Sequence, residues 1–170
     1  ANSAAALRSL PARYLFLDEI DAYPDDLDGE GDPVDLAIAR TATFRGKRRV
    51  FLVSTPTLKG ISRIEAAYRA SDQRRFHLPC PHCAEPFVLE WQHVQWPEGR
   101  RDLAAVICPA CGAEIDERAK PAMLAAGEWR PTADGDGRTA GFHLSTLYSP
   151  WETWAEIARR HGEVHRDPAR

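Results

Sequence analysis

Two short apolar runs interrupt a largely polar N-terminal half. RYLFL, residues 13–17, and RVFLV, residues 49–53, are continuous aliphatic and aromatic segments. Such runs suit central strands of a parallel sheet, covered on both faces. The first breaks into Asp18, Glu19 and Asp21, the second into Ser54, Thr55, Pro56 and Thr57. Between them, PDDLDGEGDP is a turn-rich acidic loop. A helix follows it, with Asp32 as N-cap, Pro33 in the first helical position, and Leu36, Ala39 and Thr43 along one face. Strand, loop, helix, strand is the order of a βαβ crossover.

The rest of the chain reads in shorter pieces. Ser62 and Glu65 have capping-box spacing, so a helix is expected from Ser62. PFVLEWQHVQWPEG has the aromatic and aliphatic content of a small β-ribbon. DERAKPAMLAAG reads as a short helix with Pro121 in its first turn and Gly127 as its stop. TADGDGR is a loop and GFHLSTLYS an extended segment. SPWETWAEIARRH is a final helix, with Ser149 as N-cap, Glu152 completing the box, and Trp151, Trp154, Ile157 and Ala158 sharing a face. No internal repeat is visible.

Composition narrows the class. A chain of 170 residues with 44% hydrophobic content can bury a core. A formal net charge of -3 supplies no global attraction to nucleic acid, so any DNA contact must be local. The basic clusters are Arg45, Lys47, Arg48 and Arg49, with Arg74 and Arg75. Each could touch a phosphate backbone, but a solvated strand entry or helix exit is the better reading of each cluster singly. The sequence shows neither a membrane-length apolar stretch nor a signal peptide. The opening ANSAAALRSL lacks a Met and reads as the middle of a longer protein.

Candidate chemistry starts at the strand ends, where open α/β sheets bind their ligands. An apolar strand delivering an aspartate is how P-loop NTPases hold Mg²⁺, and a glutamate directly after it polarises the attacking water. Asp18 is therefore the Mg²⁺–ATP candidate and Glu19 the general-base candidate, with Asp21 further out on the loop. The competing reading is an acidic exit into a solvated loop. Ser54 and Thr55 stand where a neighbouring strand meets the same crevice. Small hydroxyls there can report hydrolysis to the rest of a protein; alternatively they form a polar turn before a helix. No G-x-x-x-x-G-K-[ST] loop occurs in the chain, so the phosphate cradle must come from elsewhere.

The four cysteines form two pairs, CPHC (Cys80, Cys83) and CPAC (Cys108, Cys111). Two such knuckles can aim four thiolates at one ion, a closed tetrahedral and hence structural zinc site. Gly112 follows the second pair, where a positive φ is useful. Ala84 holds the equivalent place in the first, at a cost of about 1 kcal/mol if it adopts that conformation. His77 and His82 are possible substitute ligands, each better read as a surface histidine.

YLFLDEIDAYP, DGEGDPVDLA with RTATF, VSTPTLKGISRIEAAYRASDQRRF, LPCPHC, ICPACG and GFHLSTLYSPW occur in that order. Together they resemble the large terminase subunit of lambda-like tailed phages, over nearly the whole chain. The resemblance implies a P-loop NTPase fold in which Asp18 and Glu19 are the Walker B pair. Ser54, Thr55 and Pro56 become the coupling motif, and the cysteines a cysteine-pair insertion. The parent would be an oligomeric ATPase, using Mg²⁺ and ATP, that drives double-stranded DNA into the procapsid. A further nuclease domain would cut concatemeric DNA. Its partners would be a small terminase subunit and the portal, in the host cytoplasm. Residues 1–76 would be the C-terminal part of the ATPase domain and 77–130 a zinc-ribbon-like module with four cysteine ligands. Residues 131–170 would be an extended segment and helix leading toward the nuclease. On this reading the chain is a central fragment, inactive alone. Two other functions fit parts of the pattern: a DExD-type helicase, for DEID followed by STPT, and a non-catalytic zinc-ribbon binding module.

Overall fold

In the computed structural model, which describes residues 11–58 and 60–164, the two apolar runs become strands β1 (Tyr14–Leu17) and β2 (Arg49–Leu52). They pair in parallel, with Leu15 opposite Val50 and Leu17 opposite Leu52. Helix α1 (Pro33–Ala39) lies between them in sequence. Asp32 caps it, its carboxylate accepting from the amides of Val34 (2.7 Å) and Asp35 (3.3 Å). Helix α2 (Arg63–Ala70) follows β2. Its first turn is closed by the Ser62 hydroxyl, which accepts from the Glu65 amide at 3.1 Å. Glu65 completes only half of a capping box, because its carboxylate accepts from the Gly60 amide instead.

By its contacts the chain divides into two compact units, Ala1–Arg69 and Ala70–Arg170. The first has a small core of Leu17, Ile20, Val34 and Ala37, with Leu15, Ile38, Leu52 and Ile64 packed on it. Two sequence expectations change here. The described residues do not cover the strands on both faces: Tyr14 and Phe16 are 67% and 68% exposed, Phe51 is 48% exposed, and the Phe16 and Phe51 rings stack at 4.8 Å. The buried stripe of α1 is also not Leu36, Ala39 and Thr43. The helix ends at Ala39, and Pro33, Val34, Ala37 and the following Thr41 are the buried positions. Val34 and Ala37 are three apart, on one helical face.

The second unit is built on two small sheets. In the first, β3 (Arg74–Pro79) pairs antiparallel with β4 (Pro86–Val88). The short β5 (Val94–Gln95), β6 (Ala105–Ile107) and β7 (Glu114–Ile115) make the second, an antiparallel sheet. After α3 (Lys120–Ala125), β8 (Glu128–Arg130) returns to β3 with Trp129 opposite Phe76. Gly127 marks the turn for a steric reason: a Cβ there would stand 2.5 Å from the Phe76 ring. The segment expected to be extended is only briefly so. β9 (Phe142–His143) adds to β3 in parallel, and the chain then tightens into a 3-10 turn at Thr146–Tyr148.

Helix α4 (Trp154–Val164) closes the unit. Its N-cap is Thr153, not Ser149. The Thr153 hydroxyl accepts from the Glu156 amide at 3.2 Å, and the Glu156 carboxylate accepts from the Thr153 amide at 2.8 Å. Trp151 is accordingly off the buried face, 89% exposed. Trp154, Ile157 and Ala158 are buried, and Trp154 and Ile157 join a core with Leu78, Phe87, Val106 and Ile115. Tyr148 ties this core together: its hydroxyl donates to the Phe76 carbonyl and accepts from the Leu89 amide, both at 2.7 Å. No helix among the described residues is long and apolar enough to cross a membrane.

Candidate functional site

Because β1 and β2 run parallel, both leave the sheet at the same edge. The pairing persists beyond the strands. The Val53 amide donates to the Leu17 carbonyl at 2.9 Å and the Ile20 amide to the Val53 carbonyl at 3.3 Å. Asp18–Glu19 and Ser54–Thr55 therefore sit on adjacent strand exits. Asp18, Glu19 and Thr55 are exposed and Ser54 is half-buried. Asp18 accepts from the Glu19 amide at 3.1 Å. Glu19 is held at φ 53 and ψ 46, a left-handed conformation that costs a residue with a Cβ about 1–2 kcal/mol. The kink turns the chain out of the strand and leaves both carboxylates in solvent. Ser54 Oγ accepts from the Asp21 amide at 3.2 Å and donates to the Thr55 carbonyl at 3.4 Å.

Asp21 was expected on the outer loop. Instead its carboxylate is enclosed by donors. Oδ2 accepts from the Thr57 amide (3.1 Å) and hydroxyl (3.4 Å), and Oδ1 from the Ile64 amide (2.9 Å). Burial alone would raise its pKa. Hydrogen bonds from the Ser62 hydroxyl and the Ile64 and Thr57 groups outweigh that and hold it below the ordinary aspartate value. Arg63, which no sequence motif singled out, braces the acidic loop. Its guanidinium reaches the carbonyls of Ile20, Tyr23 and Pro24 and the carboxylates of Asp25 and Asp32. The capping-box spacing at Ser62 was the one legible pointer to this cluster.

The cysteine pairs sit at the tips of two hairpins, Cys80 and Cys83 between β3 and β4, Cys108 and Cys111 between β6 and β7. The turns repeat each other. Cys80 N–H donates to the Glu85 carbonyl and Ala84 N–H to the Cys80 carbonyl. Cys108 N–H donates to the Ala113 carbonyl and Gly112 N–H to the Cys108 carbonyl, all at 2.9–3.0 Å. Ala84 and Gly112 occupy matching left-handed positions, φ 63 and φ 71. The four sulfurs lie within 4.8 Å of one another. Cys80–Cys111 and Cys83–Cys108 are both 3.9 Å apart. A tetrahedral ion with Zn–S near 2.3 Å places its sulfurs about 3.8 Å apart, so the set fits such an ion. Neither histidine belongs to it: His82 hydrogen-bonds the Glu114 carbonyl and His77 the Arg75 carbonyl.

Crowding splits the thiols electrostatically. Burial disfavours the Cys108 thiolate, but amides of Cys111 and Ala110 and the Cys80 and Cys111 thiols bring its pKa down to about 7. At Cys83 the Glu85 amide favours the thiolate. Desolvation and hydrogen bonds with Cys111, Cys80 and Cys108 outweigh it, pushing the pKa up to about 12.

These elements define a mixed α/β protein whose parallel strands present acidic and hydroxyl residues at one edge, followed by a four-cysteine unit. The chain belongs to the family of the phage terminase large subunit gpA, ATPase domain, which matches residues 1–129. It is 28% identical over 180 residues to the large terminase subunit of Enterobacteria phage P21, covering 89% of this chain and 27% of that protein. It is 30% identical over 175 residues to the large terminase subunit of Escherichia phage lambda, covering 84% of this chain and 26% of that protein. The chain thus spans about a quarter of the length of these relatives. No solved structure matches it.

Proposed function

We propose that this chain is the central part of a terminase large subunit that couples ATP hydrolysis to movement of double-stranded DNA into a procapsid, in the host cytoplasm. The parallel β1–β2 pair carries the reading: it brings DE and ST to one sheet edge, in a chain of this family. Residues 1–76 are read as part of a P-loop NTPase sheet. Asp18 holds Mg²⁺, Glu19 orients and deprotonates the attacking water, and Ser54 and Thr55 carry the state of the nucleotide outward. Mg²⁺ supplies charge neutralisation at the phosphates when bound. Asp18 and Glu19 are free to meet it, being exposed and engaged with each other only through the Glu19 amide. Residues 77–130 are read as a zinc-ribbon-like module. Cys80, Cys83, Cys108 and Cys111 hold a structural Zn²⁺, since four thiolates leave no position for water or substrate. Residues 131–170 lead toward a nuclease domain that cuts concatemeric DNA. A small terminase subunit and the portal are the expected partners of the oligomeric motor.

The test uses the full-length subunit. Glu19→Gln should keep ATP binding and lose about 10²–10⁴ in hydrolysis rate, the usual contribution of a positioned base. Asp18→Ala should also weaken Mg²⁺–ATP binding. Wild-type turnover by Glu19→Gln would remove the assignment.

A further inference from the structure

Three neighbouring acids leave β1, and they have different fates. Asp18 and Glu19 face solvent, whereas the third, half-buried, has both carboxylate oxygens hydrogen-bonded. Asp21 offers its amide to Ser54 Oγ at 3.2 Å and accepts at Oδ2 from Thr57 N–H and Oγ–H, and at Oδ1 from Ile64 N–H. The Ser62 hydroxyl adds a further bond. One residue thereby grips both ends of Ser54–Thr57 and the first turn of α2. A carboxylate so occupied cannot also serve as a metal ligand or a base without giving up these donors. Arg63 prevents that turn from slipping. Its Nε reaches Asp32 at 2.9 Å, and both terminal nitrogens are engaged with loop carbonyls and Asp25. Asp32 in turn caps α1. The exits of β1 and β2, the acidic loop and the starts of α1 and α2 are thus joined by polar bonds through residues 21 and 62–64.

We propose that Asp21 is a positioning residue that locks the Ser54–Thr57 segment and the start of α2 to the strand end bearing Asp18 and Glu19. Displacement there is then passed to both together. The inference rests on reading Asp18 and Glu19 as the hydrolytic pair. Loss of Asp21 should uncouple the motor and spare nucleotide binding, because the residue touches the transmitting segments and not the exposed pair. In Asp21→Asn the amide group presents N–H where Thr57 or Ile64 also present N–H. At least one of the bonds is therefore replaced by a repulsive contact.

The experiment measures, in the full-length subunit assembled as a packaging motor, ATP hydrolysed and DNA packaged by wild type, Asp21→Asn and Thr57→Val. The expected result for Asp21→Asn is a fall of about tenfold in DNA packaged per ATP, the scale of a typical coupling between sites, with KM for ATP near wild type. Thr57→Val removes one donor to Asp21 and keeps the backbone bond, so the same ratio should fall by a smaller factor. It decides the matter if Asp21→Asn does not fold. An unchanged ratio in the folded variants, or packaging and hydrolysis lost in parallel, overturns the proposal. Glu19→Gln separates this from failure of the underlying reading. If Glu19→Gln still hydrolyses ATP, the hydrolytic assignment falls. If Glu19→Gln is inactive while Asp21→Asn and Thr57→Val keep the wild-type ratio, only the role of Asp21 falls.

Discussion

Ala84 and Gly112 stand at the same place in two nearly identical turns, at φ 63 and φ 71. Only one of them is suited to that conformation. Nothing lies within 4 Å of a Cβ built on Gly112, so the difference between the turns is conformational and not steric. Ala84→Gly should therefore stabilise the zinc-loaded protein by about 1 kcal/mol or less, once the greater freedom of glycine in the unfolded chain is set against the relieved strain. Gly112→Ala should destabilise it by about 1 kcal/mol. Denaturant unfolding of both variants with zinc present checks this, and equal effects of the two substitutions would show that the turns differ in some other way. This strain was legible beforehand because the CPxC units align residue for residue. The grip of Asp21 was not, since Thr57 and Ile64 are 36 and 43 residues away in sequence.

At the level of elements, the last helix shows how two equally good local signals are resolved. Ser149–Glu152 and Thr153–Glu156 both have S/T-x-x-E spacing. The core selects the second. Trp154 is fully buried, donates Nε1–H to the Leu147 carbonyl at 3.1 Å and gives its amide to Glu117 at 2.8 Å. Lys120, itself buried, holds the preceding segment through the Glu152 carbonyl at 2.7 Å. A helix begun at Ser149 would consume the chain that makes this bend. Thr153→Ala should cost about 1 kcal/mol of stability, as for the loss of an N-cap, and Ser149→Ala distinctly less. Thermal unfolding of the pair measures it, and the reverse order would restore Ser149 as the cap. The α1 stripe was misplaced for a related reason. The apolar periodicity continues to Thr43, but the helix stops at Ala39 and a 3-10 turn at Ala42–Phe44 follows.

For the molecule as a whole, the two cores should respond differently to metal. Cys80 and Cys108 are buried in the same cluster as Leu78, Val106, Ile115 and Trp154. The Leu17, Ile20, Val34 and Ala37 cluster contains no cysteine. Structural zinc contributes on the order of 10 kcal/mol of apparent binding free energy in small domains. The purified chain should hold one zinc ion by elemental analysis. On chelation, the NMR signals of the second unit should collapse while those of Ile20 and Val34 persist. Uniform loss of both sets would contradict separate cores, and metal-free protein prepared under reducing conditions would contradict the four-cysteine zinc site. The same chain should show no ATP turnover, for want of a phosphate loop to position the nucleotide.

The sequence by itself determined what depends on neighbours a few residues apart. The β1–β2 runs, the Asp32 cap, the Ser62 turn and the CPxC knuckles are all of this kind. Tertiary structure decided what depends on distant partners: which face of α1 is buried, which of two caps opens α4, why Gly127 must lack a side chain, and that Asp21 and Arg63 bind strand exits to helix starts. The physical reason is the range of the forces. Caps, turns and knuckles are satisfied by backbone groups within one turn of chain. Burial and enclosed carboxylates are satisfied only by groups that folding brings from tens of residues away.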